Sequence, residues 1–289
     1  MPELPEVEVV KRSLESLINN AHIEDIKINE SNLRYKVKKR EINQIVGLKI
    51  INIKRRSKYL LFIFNKGIVM IAHLGMTGKF FIINKNKIKE KTSFYYNLDE
   101  TKDNKHNHII FTFNNKTKLI YNDVRKFGFI KFDKISSIKK NPHLKILGPE
   151  PLKNIFNFEY FKNYIRGKKR NIKDLLMDQK FVSGLGNIYV NEILFYSKIK
   201  PIKKIFKLKD DEIKRILNNT KKILNKAIKF GGSSIKNFSS SSGKVGSFQQ
   251  YFSVYGKKGN YCSNADCNNT IKKIVISNRA SFFCSNCQK

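Results

Sequence analysis

The sequence predicts an α+β chain: an N-terminal helix, an antiparallel β-sandwich or barrel, a helical middle and a small C-terminal metal-binding ribbon. Three observations carry this. Short β-rich segments separated by Gly, Asn or Lys crowd into residues 23–132. Helical periodicity begins at residue 157 and runs to 230. All four cysteines stand after residue 261, in two spaced pairs.

Taken in order, Pro5 belongs to a first helical turn, and Glu6 and Glu8 lie near the positive end of that helix. Val7, Val10, Leu14, Leu17 and Ile18 give it one apolar face. Strands are expected at 23–30, 45–55, 58–64, 67–73, 79–84, 107–113, 117–121 and 127–132. The polar run 85–107 reads as a loop. From Pro142 the character changes, and Gly148-Pro149-Glu150-Pro151 reads as a linker. Helices are expected at 157–166, 172–179, 187–197 and 209–230, the last ending at Gly231-Gly232. Residues 233–250 are rich in Ser and Gly and read as a loop, with or without a short helix.

A chain of 289 residues with 40% apolar content has ample core for one large domain or two medium ones. Lys and Arg number 58 against 23 Asp and Glu, a formal net charge of +35. Such a field favours a polyanionic partner. The richness in Lys, Asn, Ile and Phe is also what an AT-rich genome produces, so charge alone favours nucleic acid only mildly. No run of 18 apolar residues exists, so no membrane span and no membrane partner is expected. The N-terminus lacks an apolar signal core, and a cytoplasmic, reducing compartment is expected. There, Cys262, Cys267, Cys284 and Cys287, spaced C-x4-C and C-x2-C around a β-hairpin, read as thiolate ligands of one structural zinc. Four thiolates leave no open position for a reacting water.

The first residues are Met1-Pro2-Glu3-Leu4-Pro5-Glu6-Val7-Glu8. With Met1 trimmed, Pro2 is a free secondary amine beside a carboxylate. An α-amino group has a pKa of about 7.7–8.0, so a useful fraction is nucleophilic near neutrality. Read alone, the segment is better explained as a protected terminus and a helix start. In Gly184-Leu185-Gly186-Asn187 the glycines permit a turn, and Asn187 can cap the next helix beside phosphate-binding N–H groups. In 123–128, Arg125 and Phe127 point the same way if the segment is extended, a cation beside an aromatic wedge. Met76, between two glycines in the segment from His73 to Gly78, projects from a tight loop or packs. Lys58 is one basic residue among 58, and for His106 and His108 a solvated or structural role is the default.

These pieces occur together, in this order, in one family. The chain resembles bacterial formamidopyrimidine-DNA glycosylase, the 8-oxoguanine DNA glycosylase, over essentially its whole length. The matching stretches are MPELPEVE at 1–8, RRSKYLLF at 55–62, HLGMTGKF at 73–80, DVRKFG at 123–128, LGPEPL at 147–152, GLGNIYVNE at 184–192, VYGKKG at 254–259 and NRASFFCSNCQK at 278–289. Joint occurrence makes the match specific. The resemblance implies a base-excision repair enzyme that removes oxidised purines from duplex DNA and then cuts the abasic strand by β,δ-elimination.

It implies Pro2 as the imine-forming nucleophile, Glu3 as general acid, Lys58 as the catalytic lysine and Arg279 as the arginine that grips phosphate and serves δ-elimination. Met76, Arg125 and Phe127 match the trio that fills the space left by the everted nucleotide. Asn187 matches the phosphate-binding residue of a helix-two-turn-helix element. His73, His106 and Lys168 fall where further DNA contacts lie, and the 233–250 loop matches the one that covers the everted base. The implied division is a catalytic β-sandwich domain at 1–135, a linker at 136–152, a helix-two-turn-helix domain at 153–250 and a zinc ribbon at 251–289, in a monomer acting on damaged double-stranded DNA. The sequence departs from the family pattern in its C-x4-C knuckle and in Val124 and Lys126 of the wedge motif. The nearest rival is the sister enzyme for oxidised pyrimidines, an endonuclease VIII-like glycosylase. An inert zinc-ribbon nucleic-acid-binding protein is the rival from another class.

Overall fold

The computed structural model describes residues 1–83, 89–91, 104–233 and 247–289. The chain forms two compact units. The first holds Met1–Lys145 together with residues 231–233, and the second holds Ile146–Phe230 and 247–289.

The first unit starts with helix α1 (Leu4–Ile18). Strands β1 (Ile23–Ile28), β2 (Ile50–Arg56), β3 (Tyr59–Phe64), β4 (Ile68–His73), β5 (Lys79–Ile83), β6 (Lys89–Lys91), β7 (Asn107–Phe113), β8 (Lys118–Asn122) and β9 (Phe129–Lys134) follow. They make two antiparallel sheets, ordered β1-β7-β8-β5-β6 and β2-β3-β4-β9. Alternating side chains of both sheets fill the layer between them, where Phe62 of β3 meets Phe80 of β5 edge-on, centroids 5.7 Å apart. Val7, Val10, Leu14 and Ile18 of α1 join that core with Ile53, Leu60 and Phe64. Each fully buried side chain of this size contributes about 1.5–3 kcal/mol.

Two departures from the sequence expectation have local causes. The strand expected from residue 45 begins at Ile50, because the chain first makes a short helix α2 (Lys39–Asn43) and turns at Gly47 with φ +78°. A five-residue helix is too short to show a period. Strand β6 falls inside the run expected to be a loop. It pairs with β5 through Phe81↔Lys91 to Ile83↔Lys89. Of the rest of that run, 85–88 and 92–103 lie outside the described residues.

The second unit contains α3 (Phe158–Ile165), α4 (Ile172–Met177), α5 (Asn187–Tyr196) and α6 (Asp210–Lys229), followed by the hairpin β10 (Ile271–Ile276) and β11 (Arg279–Cys284). In α6, Ile213, Ile216, Leu217, Thr220, Ile223, Leu224 and Ala227 recur at helical spacing and are buried. α5 instead buries nearly every residue, including Asn191 and Glu192, so it is the central helix of this unit. Its core gathers Phe156, Phe161, Phe181, Leu185, Tyr189 and Ile216. The hairpin packs its own cluster of Ile271, Phe282 and Cys284 against Phe195 of α5 and Val254. Among the described residues, no helix is long and apolar enough to cross a membrane.

Candidate active site and nucleic-acid interface

Glu3 is the N-cap of α1 and forms a capping box with Glu6. The Glu6 carboxylate accepts from the Glu3 backbone N–H at 2.8 Å, and its other oxygen accepts from the Ser233 N–H at 2.9 Å and hydroxyl at 3.1 Å. Pro2, Glu3 and Glu6 are all buried. The sequence marks Glu6 only as an acid near the helix start; its position three residues after Glu3 is the signal of the capping role. Burial lowers the pKa of the Met1 α-amine, Glu3 and Glu6 oppose that shift, and Lys58 and Arg125 add to it. The amine terminus thus shares one electrostatic neighbourhood with Glu3, Glu6, Lys58 and Arg125.

Lys58 sits in the two-residue turn between β2 and β3, closed by the Arg56↔Tyr59 pair, with Ser57 at φ +56°. It is 6% exposed, unusual for an ammonium and unlike the solvated lysines that make up most of the charge. The hairpin is tied to α1 by Arg55, whose Nε donates to Glu8 at 2.7 Å and whose Nη1 donates to the Ser57 carbonyl at 3.1 Å. Burial pushes the Glu8 carboxyl up, but hydrogen bonds from Arg55 and Arg12 outweigh it and hold the group below the usual range. One ion pair therefore fixes the helix bearing Pro2 and Glu3 against the turn bearing Lys58.

Met76 and Phe127 are exposed at 38% and 45%, on two loops that are locked together. The buried Asp123 accepts from the Thr77 hydroxyl with one oxygen, and from Gly128 N at 2.7 Å and the Tyr121 hydroxyl at 3.3 Å with the other. Arg125 N donates to Thr77 Oγ1 at 3.0 Å. Gly75 has φ +59°, and a Cβ there would stand 2.4 Å from the Gly128 nitrogen, so both loops depend on this close approach. The segment 123–128 is a turn with Lys126 at φ +53°, not the extended stretch that would aim Arg125 and Phe127 alike. They are nevertheless paired, with the guanidinium carbon 4.5 Å from the Phe127 ring centroid. Asp123 has no role legible from its neighbours in sequence, although it organises the whole motif.

His73 ends β4 and stacks on Phe129, centroids 5.5 Å apart. Its Nδ1 accepts from Gly75 N at 3.1 Å, which leaves Nε2 as the protonated nitrogen. Burial, then the charges of Lys58 and Arg34 and the neighbouring His143, lower its pKa to about 4. His106 lies in a helical turn before β7, and its carbonyl accepts from Asp123 N at 3.2 Å, so it borders the same loop. His108 is structural: it is buried and its Nε2 meets the Asp123 carbonyl at 2.7 Å.

In the second unit, Asn187 is the first residue of α5, and Gly186 is the N-cap. The expectation that Asn187 caps the helix is corrected: its Nδ2 donates to the Ala280 carbonyl at 3.0 Å, beside Arg279. Asn187 and Arg279 are therefore brought together, at the tip of the hairpin. Lys168 turns back onto α3, with its ammonium on the Tyr164 carbonyl and 3.5 Å from the Tyr164 ring centroid. Two further groups here had no sequence assignment beyond lying in apolar helices. Lys173 donates to Ala280 O at 2.9 Å and Ser281 Oγ at 2.5 Å. Glu192 accepts from the N–H groups of Ser253, Val254 and Tyr255 at 2.8, 3.0 and 2.8 Å.

The Sγ atoms of Cys262, Cys267, Cys284 and Cys287 all lie within 4.8 Å of one another. Two of the separations are 3.8 Å and 3.6 Å. Tetrahedral thiolates at about 2.3 Å from zinc stand about 3.8 Å apart, so the set fits a metal ion. The longer first knuckle does not prevent this. Asn264 and Asn286 donate to Cys287 and Cys267 at 3.0 Å and 3.5 Å, and the Asn286 amide helps lower the Cys267 thiol to about 6. Residues 234–246, most of the expected base-covering loop, lie outside the described residues.

Comparison with known proteins gives a consistent result. Residues 1–130 match the formamidopyrimidine-DNA glycosylase N-terminal domain, and residues 147–239 match the formamidopyrimidine-DNA glycosylase H2TH domain. A formamidopyrimidine-DNA glycosylase of Rickettsia bellii is 40% identical over 289 residues, covering 100% of both chains. One of Rickettsia massiliae is 38% identical over 288 residues, covering 100% of this chain and 97% of the relative. Among solved structures, the complex between the Lactococcus lactis enzyme and an abasic site containing DNA has a TM-score of 0.85 at 35% identity, covering 99% of each chain.

Proposed function

We infer the reaction and its residues from one premise: this chain belongs to the formamidopyrimidine-DNA glycosylase family. The substrate is an oxidised purine in duplex DNA, an 8-oxoguanine or a formamidopyrimidine. The base is excised and the abasic strand is then cut. The observation that carries this reading is geometric: Arg55, bonded to Glu8 of α1 and to the Ser57 carbonyl, ties the helix that starts at the buried Pro2–Glu3 terminus to the turn bearing the buried Lys58.

The target bond lies inside a stacked duplex, so the nucleotide must be extruded, at a cost of a few kcal/mol. Phe127 and Met76 fill the gap, and Arg125, held over the Phe127 ring, bonds the base left without a partner. Once Met1 is removed, the Pro2 nitrogen attacks C1′ and the base leaves. Glu3, at the helix start, protonates the sugar ring oxygen as the ring opens to an imine. Loss of a proton from C2′ expels the 3′ phosphate, and a second elimination expels the 5′ phosphate. Lys58 assists proton transfer and binds phosphate, and Arg279 serves the second elimination. His73, held as the Nε2–H tautomer, donates to a phosphate without needing to ionise. His106, Lys168 and Asn187 supply further backbone contacts.

The four cysteines hold one structural zinc. We divide the labour as a catalytic domain at 1–135, a linker at 136–152, a DNA-binding helical domain at 153–250 and a zinc ribbon at 251–289, with residues 136–145 and 231–233 packed into the first compact unit.

Borohydride reduction during reaction with 8-oxoguanine:C duplex tests this, with the adduct mapped by mass spectrometry. A covalent adduct on Pro2 is expected. An adduct on lysine alone, or none with processed protein, overturns the imine mechanism. A clear preference for thymine glycol duplex assigns the chain to the pyrimidine enzymes instead.

A further inference from the structure

The tip of the ribbon hairpin, which carries Arg279, is fastened on both sides of its turn. Ser277 and Asn278 form the two-residue turn, with φ +46° and +58°, between the paired residues Ile276 and Arg279. On the entering side, the Ser277 hydroxyl donates to Asp174 Oδ1 at 2.8 Å. On the leaving side, Lys173 Nζ reaches the Ala280 carbonyl at 2.9 Å and the Ser281 hydroxyl at 2.5 Å. Lys173 and Asp174 are consecutive residues of α4, so one helical turn grips the hairpin before and after Arg279. α5 adds Asn187 on Ala280 O and Asn191 Oδ1, which accepts from Phe282 N at 2.6 Å.

We propose that Asp174 and Lys173 are positioning residues for Arg279, holding the ribbon turn from both sides so that its guanidinium is presented in one orientation. This rests on the assignment of Arg279 to δ-elimination. A tight two-residue turn fixes the local backbone, and the cluster with Phe195 and Val254 holds the hairpin farther back, but a two-stranded tip reaching beyond that cluster has little of its own to set its direction. One bond on each side of the turn sets it. The two grips differ in kind. Lys173 is 1% exposed and holds two acceptors, so it is an integral part of the packing. The Asp174–Ser277 bond lies at the surface and can be cut without opening a cavity. Asp174 also acts on Lys173. Burial lowers the lysine pKa to about 8, Asp174 opposes the shift and Arg279 adds to it. The carboxylate thus helps keep the ammonium charged next to the arginine.

The test is the ratio of δ- to β-elimination products from an abasic duplex, read on gels for the full-length, metal-loaded protein. Asp174→Ala and Ser277→Ala are each expected to lower the ratio by about three- to tenfold, the range for one lost hydrogen bond. The double variant should fall little further, since both cut the same bond. Asp174→Asn keeps an acceptor and should recover most of the ratio. Metal content, melting temperature and borohydride trapping should stay near wild type throughout. A wild-type ratio in both alanine variants, with Arg279→Ala lowering it, overturns the positioning role and leaves the arginine assignment standing. A ratio unmoved by Arg279→Ala sinks that assignment and this inference with it. A lowered ratio accompanied by loss of metal shows a merely structural contact and also overturns the proposal.

Discussion

Asp123 accepts the backbone N–H of Gly128 at 2.7 Å, closing the wedge loop on itself while its other oxygen holds Thr77 of the neighbouring loop. Every group that meets this carboxylate is a donor, and the side chain is fully buried. Asp123→Asn exchanges one acceptor oxygen for an NH2 that faces a donor. An unsatisfied buried group of this kind costs about 1–3 kcal/mol, more where the lost partner was charged. The variant should melt lower and bind an abasic-analogue duplex at least tenfold more weakly. Calorimetry and fluorescence anisotropy on the same samples check both effects.

The wedge side chains should behave in the opposite way. Met76 and Phe127 are exposed, so truncating either to alanine should change stability by less than about 0.5 kcal/mol. If they occupy the vacated stack, Phe127→Ala should slow excision strongly and reduce the rise in fluorescence of a 2-aminopurine placed beside the lesion. Loss of stability without loss of base opening would assign the ring to packing instead.

The sequence exposed those parts of the molecule whose chemistry is local. Pro2 and Glu3 sit at a helix start, the cysteines in two knuckles, and Met76, Arg125 and Phe127 on loops whose order matched one family. The α+β class followed from the change of period at 157. The supports were hidden, because each joins residues distant in sequence. Asp123 binds Thr77 across 46 positions and Glu6 binds Ser233 across 227. Lys173 reaches Ser281 across 108. A buried lysine or glutamate in an otherwise apolar helix, as at 173 and 192, is the one local trace such contacts leave. Asn187 shows the converse failure: its place after two glycines reads as a cap, yet tertiary packing gives its amide to Ala280.

Metal removal should separate the two units' contributions. The hairpin's core is small, and Cys262, Cys267 and Cys284 are part of it. Four thiolates around one ion therefore anchor the base of the hairpin whose tip bears Arg279. Elemental analysis should find one zinc per chain. Chelation, or Cys267→Ser, should remove it, lower the δ-product yield and weaken DNA binding. The sandwich, with its separate core, should keep its strand signal by circular dichroism.

His73 sets a pH limit on the fold. Its pKa is lowered from 6.5 to about 4, first by burial and then by nearby positive charge. In the unfolded chain the ring takes up a proton as pH falls through 6.5, whereas the folded ring stays neutral until about 4. The unfolded state therefore binds more protons across that window, and the fold loses stability as pH drops. Full passage through the window corresponds to about 3 kcal/mol. Above pH 7 the contribution is fully present and flat. His73→Gln should be less stable at pH 7.5, because it forfeits the stacking on Phe129, yet its melting temperature should fall less steeply between pH 6.5 and 4.5. Side-chain NMR at pH 6 should show His73 neutral, with the proton on Nε2. A ring that titrates near 6.5 in the folded protein would refute both the burial argument and the role of His73 as a donor that works without ionising.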